Sequence, residues 1–123
     1  MIMQSYWLSA ATTLALVSAC ATITPDNSTS SQNVIELLTN KDMAIADQAV
    51  QQALETHTSG VTLTWRNIDN GHAGSITPIR TYKTKSGYFC RVYTEAVNVA
   101  GTTRRYQETA CRDRDGVWKL AKG

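Results

Sequence analysis

Residues 88–112 read YFCRVYTEAVNVAGTTRRYQETACR, and the dipeptide Ala100-Gly101 inside this stretch decides the fold. It is a turn signal between two runs of β-branched and aromatic residues, which suit a pleated surface. A two-residue turn there pairs Val99 with Thr102 and sets Cys90 directly opposite Cys111. Counted outward from the hydrogen-bonded pair Val99–Thr102, the cysteines reach a non-hydrogen-bonded site, where side chains approach most closely. The Cα separation of roughly 4.5–5.5 Å expected there is one that a disulfide accepts. Closing a loop of about 22 residues contributes roughly 3 kcal/mol on the loop-entropy model. For so small a domain that is a decisive amount.

Outward from this hairpin the period of two continues. Val61, Leu63 and Trp65 alternate with Thr62, Thr64 and Arg66, as in a half-buried strand. Asn70-Gly71 reads as the next turn, and a two-residue loop there would place Trp65 across from Ile76. Pro78 has no N–H for a ladder, so the second strand is expected to bulge or lie at an edge there. It resumes through Tyr82 and turns at Ser86-Gly87. On the other side, Asp113-Arg114-Asp115-Gly116 marks a turn before a last strand around Val117 to Leu120. Five strands at short intervals with no helix between them imply an antiparallel meander. Ahead of them, Thr39 and Asp42 form a capping-box start for a helix through about Glu55. Its stripe of Ala46, Ala49, Val50, Ala53 and Leu54 suits close packing on a sheet. The expected fold class is therefore α+β: one N-terminal helix packed on a five-stranded antiparallel β-meander with one cross-strand disulfide.

The N-terminus reads as an address. Residues 1–20 carry no charged side chain, and a mostly apolar run from Trp7 to Val17 ends in Ser18, Ala19 and Cys20. That is the plan of a secretory signal. Val17-Ser18-Ala19-Cys20 resembles the lipobox of bacterial lipoproteins, although the usual n-region Lys or Arg is missing. The resemblance implies cleavage before Cys20 and acylation of its thiol and new amine, and two or more acyl chains make a stable anchor. Ala21 after the cysteine, rather than Asp, points to the outer membrane. Lipidation also resolves the odd cysteine count, leaving the pair Cys90 and Cys111. The polar Ser/Thr-rich run from Ala21 to Asn33 reads as a tether. The expected organisation is a signal peptide over 1–19, lipidated Cys20 and tether over 20–38, and a folded domain over 39–123.

Composition narrows the function classes. Twelve Lys+Arg against ten Asp+Glu give a net charge of only +2, which makes no case for nucleic acid. No stretch reaches the roughly 20 apolar residues of a bilayer span.

The run Trp65…Gly74…Ile76-Thr77-Pro78…Arg80-Thr81-Tyr82…Gly87-Tyr88…Cys90-Arg91…Tyr93, followed by Ala110-Cys111-Arg112…Asp115-Gly116…Trp118, resembles the C-terminal domain of the seventeen-kilodalton surface-antigen family of Gram-negative bacteria. Gln52-Ala53-Leu54-Glu55 fits the family's helix. The resemblance covers roughly residues 40–120 and implies a small helix-plus-sheet domain on an envelope lipoprotein, with no catalytic residues to carry over. Many members have a glycine-zipper segment before this domain, and Ala21 to Asn33 contains no glycine.

No metal-ligand spacing, phosphate loop or nucleophile elbow is present, so no enzyme, metal or cofactor is expected. His57 and His72 read as surface histidines without a task, and Asp113 and Asp115 as turn residues beside Gly116. Charge is distributed unevenly. From Arg66 onward eleven Lys+Arg face five Asp+Glu, a net +6, whereas residues 21–65 carry −4. Arg66, Arg80, Arg91, Arg104, Arg105, Tyr82, Tyr93 and Tyr106 are the candidate ligand-binding residues, because Arg forks and Tyr rings suit planar anions and sugar faces. The expected role is structural or binding, with lipopolysaccharide or peptidoglycan as partner. The alternative is a lipoprotein inhibitor of a lysozyme-type hydrolase, which a basic surface suits less well.

Overall fold

The computed structural model describes Ala15 and residues 34–121. Cys20, the expected signal apart from Ala15, and most of the expected tether therefore lie outside the described residues. The sheet contains β1 (Leu63–Arg66), β2 (Ala73–Lys83), β3 (Phe89–Val99), β4 (Thr102–Arg112) and β5 (Trp118–Leu120), in that order and antiparallel throughout. Among the described residues the helix α1 (Asn40–Thr56) precedes it. Residues 34–36 add a helical turn, and Val34 is buried in the core. Val34 belongs to the core cluster and Ile35 packs against it, so packed residues reach at least five positions ahead of the expected boundary at 39.

The central hairpin has the anticipated register. Ala100 and Gly101 both take positive φ, 51° and 84°, as a two-residue primed turn requires. Val99 pairs with Thr102 and Cys90 with Cys111. The two cysteines are disulfide-bonded, with Cα atoms 4.0 Å apart, somewhat closer than an ordinary pair at such a site. Pro78 marks a bulge: the β2–β3 register shifts between Pro78 and Arg80. Strand β1 has ended by then, so the missing N–H faces no partner strand.

The first hairpin differs from expectation. Trp65 pairs with Gly74, and Leu63 takes the place opposite Ile76. The loop is longer than two residues: Asn67 N–H donates to the His72 carbonyl at 2.8 Å, and Gly71 N–H to the Asn67 carbonyl at 2.8 Å. Asn67 itself explains this. Its side chain is fully buried and donates to Asp42 at 2.7 Å, which fixes it inside the structure instead of at the end of a strand.

Asp42 organises the same corner. The Thr39 N–H donates to its carboxylate at 2.8 Å and its own N–H to Thr39 Oγ1 at 3.1 Å, completing the capping box. Asn67, Asn70 and His72 add contacts at 2.7, 3.0 and 2.7 Å. Burial raises the pKa of this carboxyl, yet the four hydrogen-bonding groups outweigh it and hold the pKa well below the usual carboxylate range. The folded value is thus below the unfolded one, so this stability is present at neutral pH and is lost as pH falls below about 4. Asp42→Ala should lower stability at pH 7 by about 2 kcal/mol. It should also flatten the acid limb of a chemical-denaturation series from pH 7 to 2; a limb as steep as that of the parent would remove Asp42 from the explanation.

The other end of α1 is tied to β3 and β5. Buried Arg91 donates to the Leu54 carbonyl at 2.7 Å, setting a cation at the negative end of the helix. Glu55 accepts from Arg112 at 2.9 and 3.0 Å and from the Trp118 indole at 2.8 Å. Gln51 bonds both backbone groups of Trp118, at 2.6 and 2.8 Å, where a further strand would otherwise pair. The helix therefore crosses the sheet diagonally, from the β1–β2 loop at its start to β5 at its end.

Candidate functional site

Register assigns each strand residue to one of two faces. The helix-side face carries Trp65, Ile76, Tyr93, Val97 and Ala110 in the core, together with both strand glutamates, Glu95 and Glu108. The open face carries Arg66, Arg80, Arg105 and Lys119, with Tyr82 beside the disulfide. It presents no strand carboxylate. Its middle is mostly small and hydroxyl residues, Ala73, Ser75, Thr77, Thr94 and Ala96 with Thr64, Thr103 and Thr109 around them, and Val92, Asn98 and Gln107 share the face. Lys119 pairs with Asp113 at 2.9 Å, whereas Arg66, Arg80 and Arg105 form no ion pair with a described residue. Arg80 lies against Tyr82, 5.6 Å from the ring centroid.

The candidate residues therefore divide. Arg66, Arg80, Arg105 and Tyr82 share the open face and are exposed. Arg91, Arg104, Tyr93 and Tyr106 lie on the helix side, with Arg91 and Tyr93 buried. Arg91 serves as the helix C-terminal partner described above, and Arg104 stands 5.6 Å from the Tyr106 ring centroid.

The helix side has its own concavity. Between α1 and the β4–β5 half of the sheet runs a cleft of about 570 Å³, walled by Leu38, Ala46, Val50, Ala110 and Leu120. Glu95 lies at its floor, only 7% exposed, between Tyr93 and Tyr106. Burial raises the Glu95 pKa, the Tyr106 hydroxyl hydrogen-bonds and lowers it, and Glu108 and Asp47 raise it; the net shift is upward. Burial, and after it the neighbouring Glu95 and Glu108, push both tyrosine hydroxyls well above their ordinary value. Residue-type reasoning passed over Glu95, although its parity with Tyr93, Val97 and Val99 along β3 was the available signal.

His72 is corrected by the structure. It is no idle surface residue: its Nδ1 lies 2.7 Å from Asp42 and its side chain is only 16% exposed. Its role is structural, tying the β1–β2 loop to the start of α1. His57 is in contact with Thr56 at 3.0 Å. Asp113 acts in its turn as expected, accepting from Asp115 and Val117 N–H at 2.9 and 3.0 Å. Among the described residues no group of three His, Cys, Asp or Glu could hold a metal, and no helix is long and apolar enough to cross a membrane.

A helix and a disulfide-linked five-stranded meander with this spacing of Gly, Pro and Cys invite comparison with known proteins. The family model for the 17 kDa outer membrane surface antigen matches residues 52–119. The chain belongs to this surface-antigen family. The 17 kDa surface antigen of Rickettsia bellii is 42% identical over 80 residues, covering 65% of this chain and 50% of the relative. Those of Rickettsia felis and Rickettsia prowazekii are 40% and 39% identical over the same length. The chain thus spans about half the length of the curated surface antigens it matches. No solved structure matches it.

Proposed function

We propose that this surface-antigen-family protein is an outer-membrane lipoprotein, anchored by acyl chains on Cys20, whose open sheet face holds an anionic envelope polymer. Lipopolysaccharide and peptidoglycan are the two candidate partners. The observation that carries the reading is the segregation of charge: the open face has four cations and no strand carboxylate, while both strand glutamates lie behind it. A flat field of small and hydroxyl side chains between guanidinium groups suits a polysaccharide bearing carboxylates or phosphates. The family description, an outer membrane surface antigen, supports the location.

Each cation near an anionic surface is worth roughly 1 kcal/mol, so replacing Arg66, Arg80 and Arg105 together by Gln should weaken binding about a hundredfold. Co-sedimentation with purified peptidoglycan and titration with lipopolysaccharide, each at rising salt, would distinguish the polymers and show the electrostatic share. Absent or salt-insensitive binding to both would end this reading. The anchor is tested by intact mass spectrometry of membrane-extracted protein: the expected species begins at Cys20 and carries acyl mass.

A further inference from the structure

A buried carboxyl with no cation beside it is costly to ionise, so it stays protonated until a charged partner meets it. In the cleft under α1, Glu95 is such a group. Its face of the sheet adds Glu108, which pairs with Tyr93 across the ladder, and α1 contributes Asp47 to the wall. Two cations stand near the same cleft, Arg104 over the Tyr106 ring and Lys119 on β5. Neither forms an ion pair with Glu95, Asp47 or Glu108; Lys119 is engaged by Asp113. The walls are apolar, and two tyrosine rings border the carboxyl. Exposed Met43, Val117 and Leu120 extend that apolar surface at the rim.

We infer that this cleft is a binding site for a small organic cation, an alkyl- or arylalkyl-ammonium ion whose charge meets Glu95 and whose apolar body lies between α1 and β4–β5. Charge complementarity selects the occupant. An ammonium group would sit near the two lining carboxylates, Glu95 and Asp47, and beside the Tyr93 and Tyr106 rings, all of which attract cations. A volume of about 570 Å³ is in the range of small-ligand sites, which are mostly apolar with a few convergent polar groups. An anionic ligand would meet the carboxylates, so this site is distinct from the open face and takes the opposite charge. Because burial favours the protonated form of Glu95, binding the cation should release a proton, and affinity should rise with pH across the range where Glu95 ionises.

The test uses 2-phenylethylamine and its uncharged counterpart 2-phenylethanol as probes of the purified protein, by calorimetric titration in two buffers of different ionisation heat. The amine is expected to bind roughly tenfold more tightly than the alcohol, with proton release. Glu95→Gln, near-isosteric and checked by its melting temperature, should bring the two affinities together and abolish the release. Asp47→Asn, on the exposed wall and checked likewise by its melting temperature, should narrow the preference by about twofold. Equal affinity for amine and alcohol in the parent would overturn the proposal by making the cleft a merely apolar site. So would the absence of binding together with a dimer that Leu120→Glu disrupts, since the occupant would then be a second copy of the chain.

Discussion

Gly74→Ala is expected to destabilise the protein by about 3 kcal/mol, and Gly74→Val to prevent folding. The reason is space and not backbone conformation. Gly74 is absent from the glycines with positive φ, and a Cβ there would lie 2.4 Å from Trp65 Nε1 and 2.6 Å from the Ala96 carbonyl oxygen. The indole of Trp65 lies flat across the glycine opposite it, and both are held by the sheet on one side and α1 on the other. Neither the backbone of β3 nor a buried tryptophan can give way by an ångström without disrupting the core. Gly101→Ala offers the contrast. Nothing lies within 4 Å of its Cβ position, but its φ is +84°, so only the strain of a left-handed residue applies, about 1–2 kcal/mol. Thermal melts should separate them, with Gly74→Ala lowering the midpoint by roughly 15 °C and Gly101→Ala by much less. Similar midpoints would mean that Trp65 can leave Gly74 at little cost.

This close approach also marks the limit of what was legible in the sequence. The strand count, the helix with its Thr39–Asp42 box, the bulge at Pro78 and the pairing of Cys90 with Cys111 all rest on local chemistry: turn residues, periodicity and capping. The Asn70-Gly71 hairpin rests on the same kind of signal and came out two residues long of its anticipated register. There the deciding force was tertiary, the burial of Asn67 against Asp42, which no local pattern encodes. The faces of the sheet behave likewise. Residue type groups the arginines and tyrosines together, but strand parity puts Arg91, Arg104, Tyr93 and Tyr106 under the helix and leaves Arg66, Arg80, Arg105 and Tyr82 outside. Parity needs only the register, and for the central hairpin the register was already available. The cleft required more, because its shape depends on the diagonal course of α1, set by Asp42 at one end and Gln51 and Glu55 at the other.

Removing the disulfide, by Cys90→Ala with Cys111→Ala, is expected to lower stability by about 3 kcal/mol. The bridge spans 21 residues in sequence and sits at the opposite end of the β3–β4 hairpin from its turn. A hairpin tied at one end frays at the other, and this far end is where β5 pairs with β4 and where Arg112 and Trp118 reach Glu55. Opening it would therefore loosen the helix attachment as well as the strand pair, so the loss should appear as one cooperative transition at lower denaturant and not as a separate early step. Cys90 is wholly buried, flanked by Tyr82 on β2 and Lys119 across Cys111. A thiol reductant should accordingly act slowly on the folded protein and rapidly once denaturant opens it. Equal stability of parent and double variant in urea titrations would show that β2 and β5 alone hold the hairpin shut. A two-step transition would show that β5 and the end of α1 unfold independently of the rest. The expected loss makes the stability of this domain depend on the bridge staying oxidised.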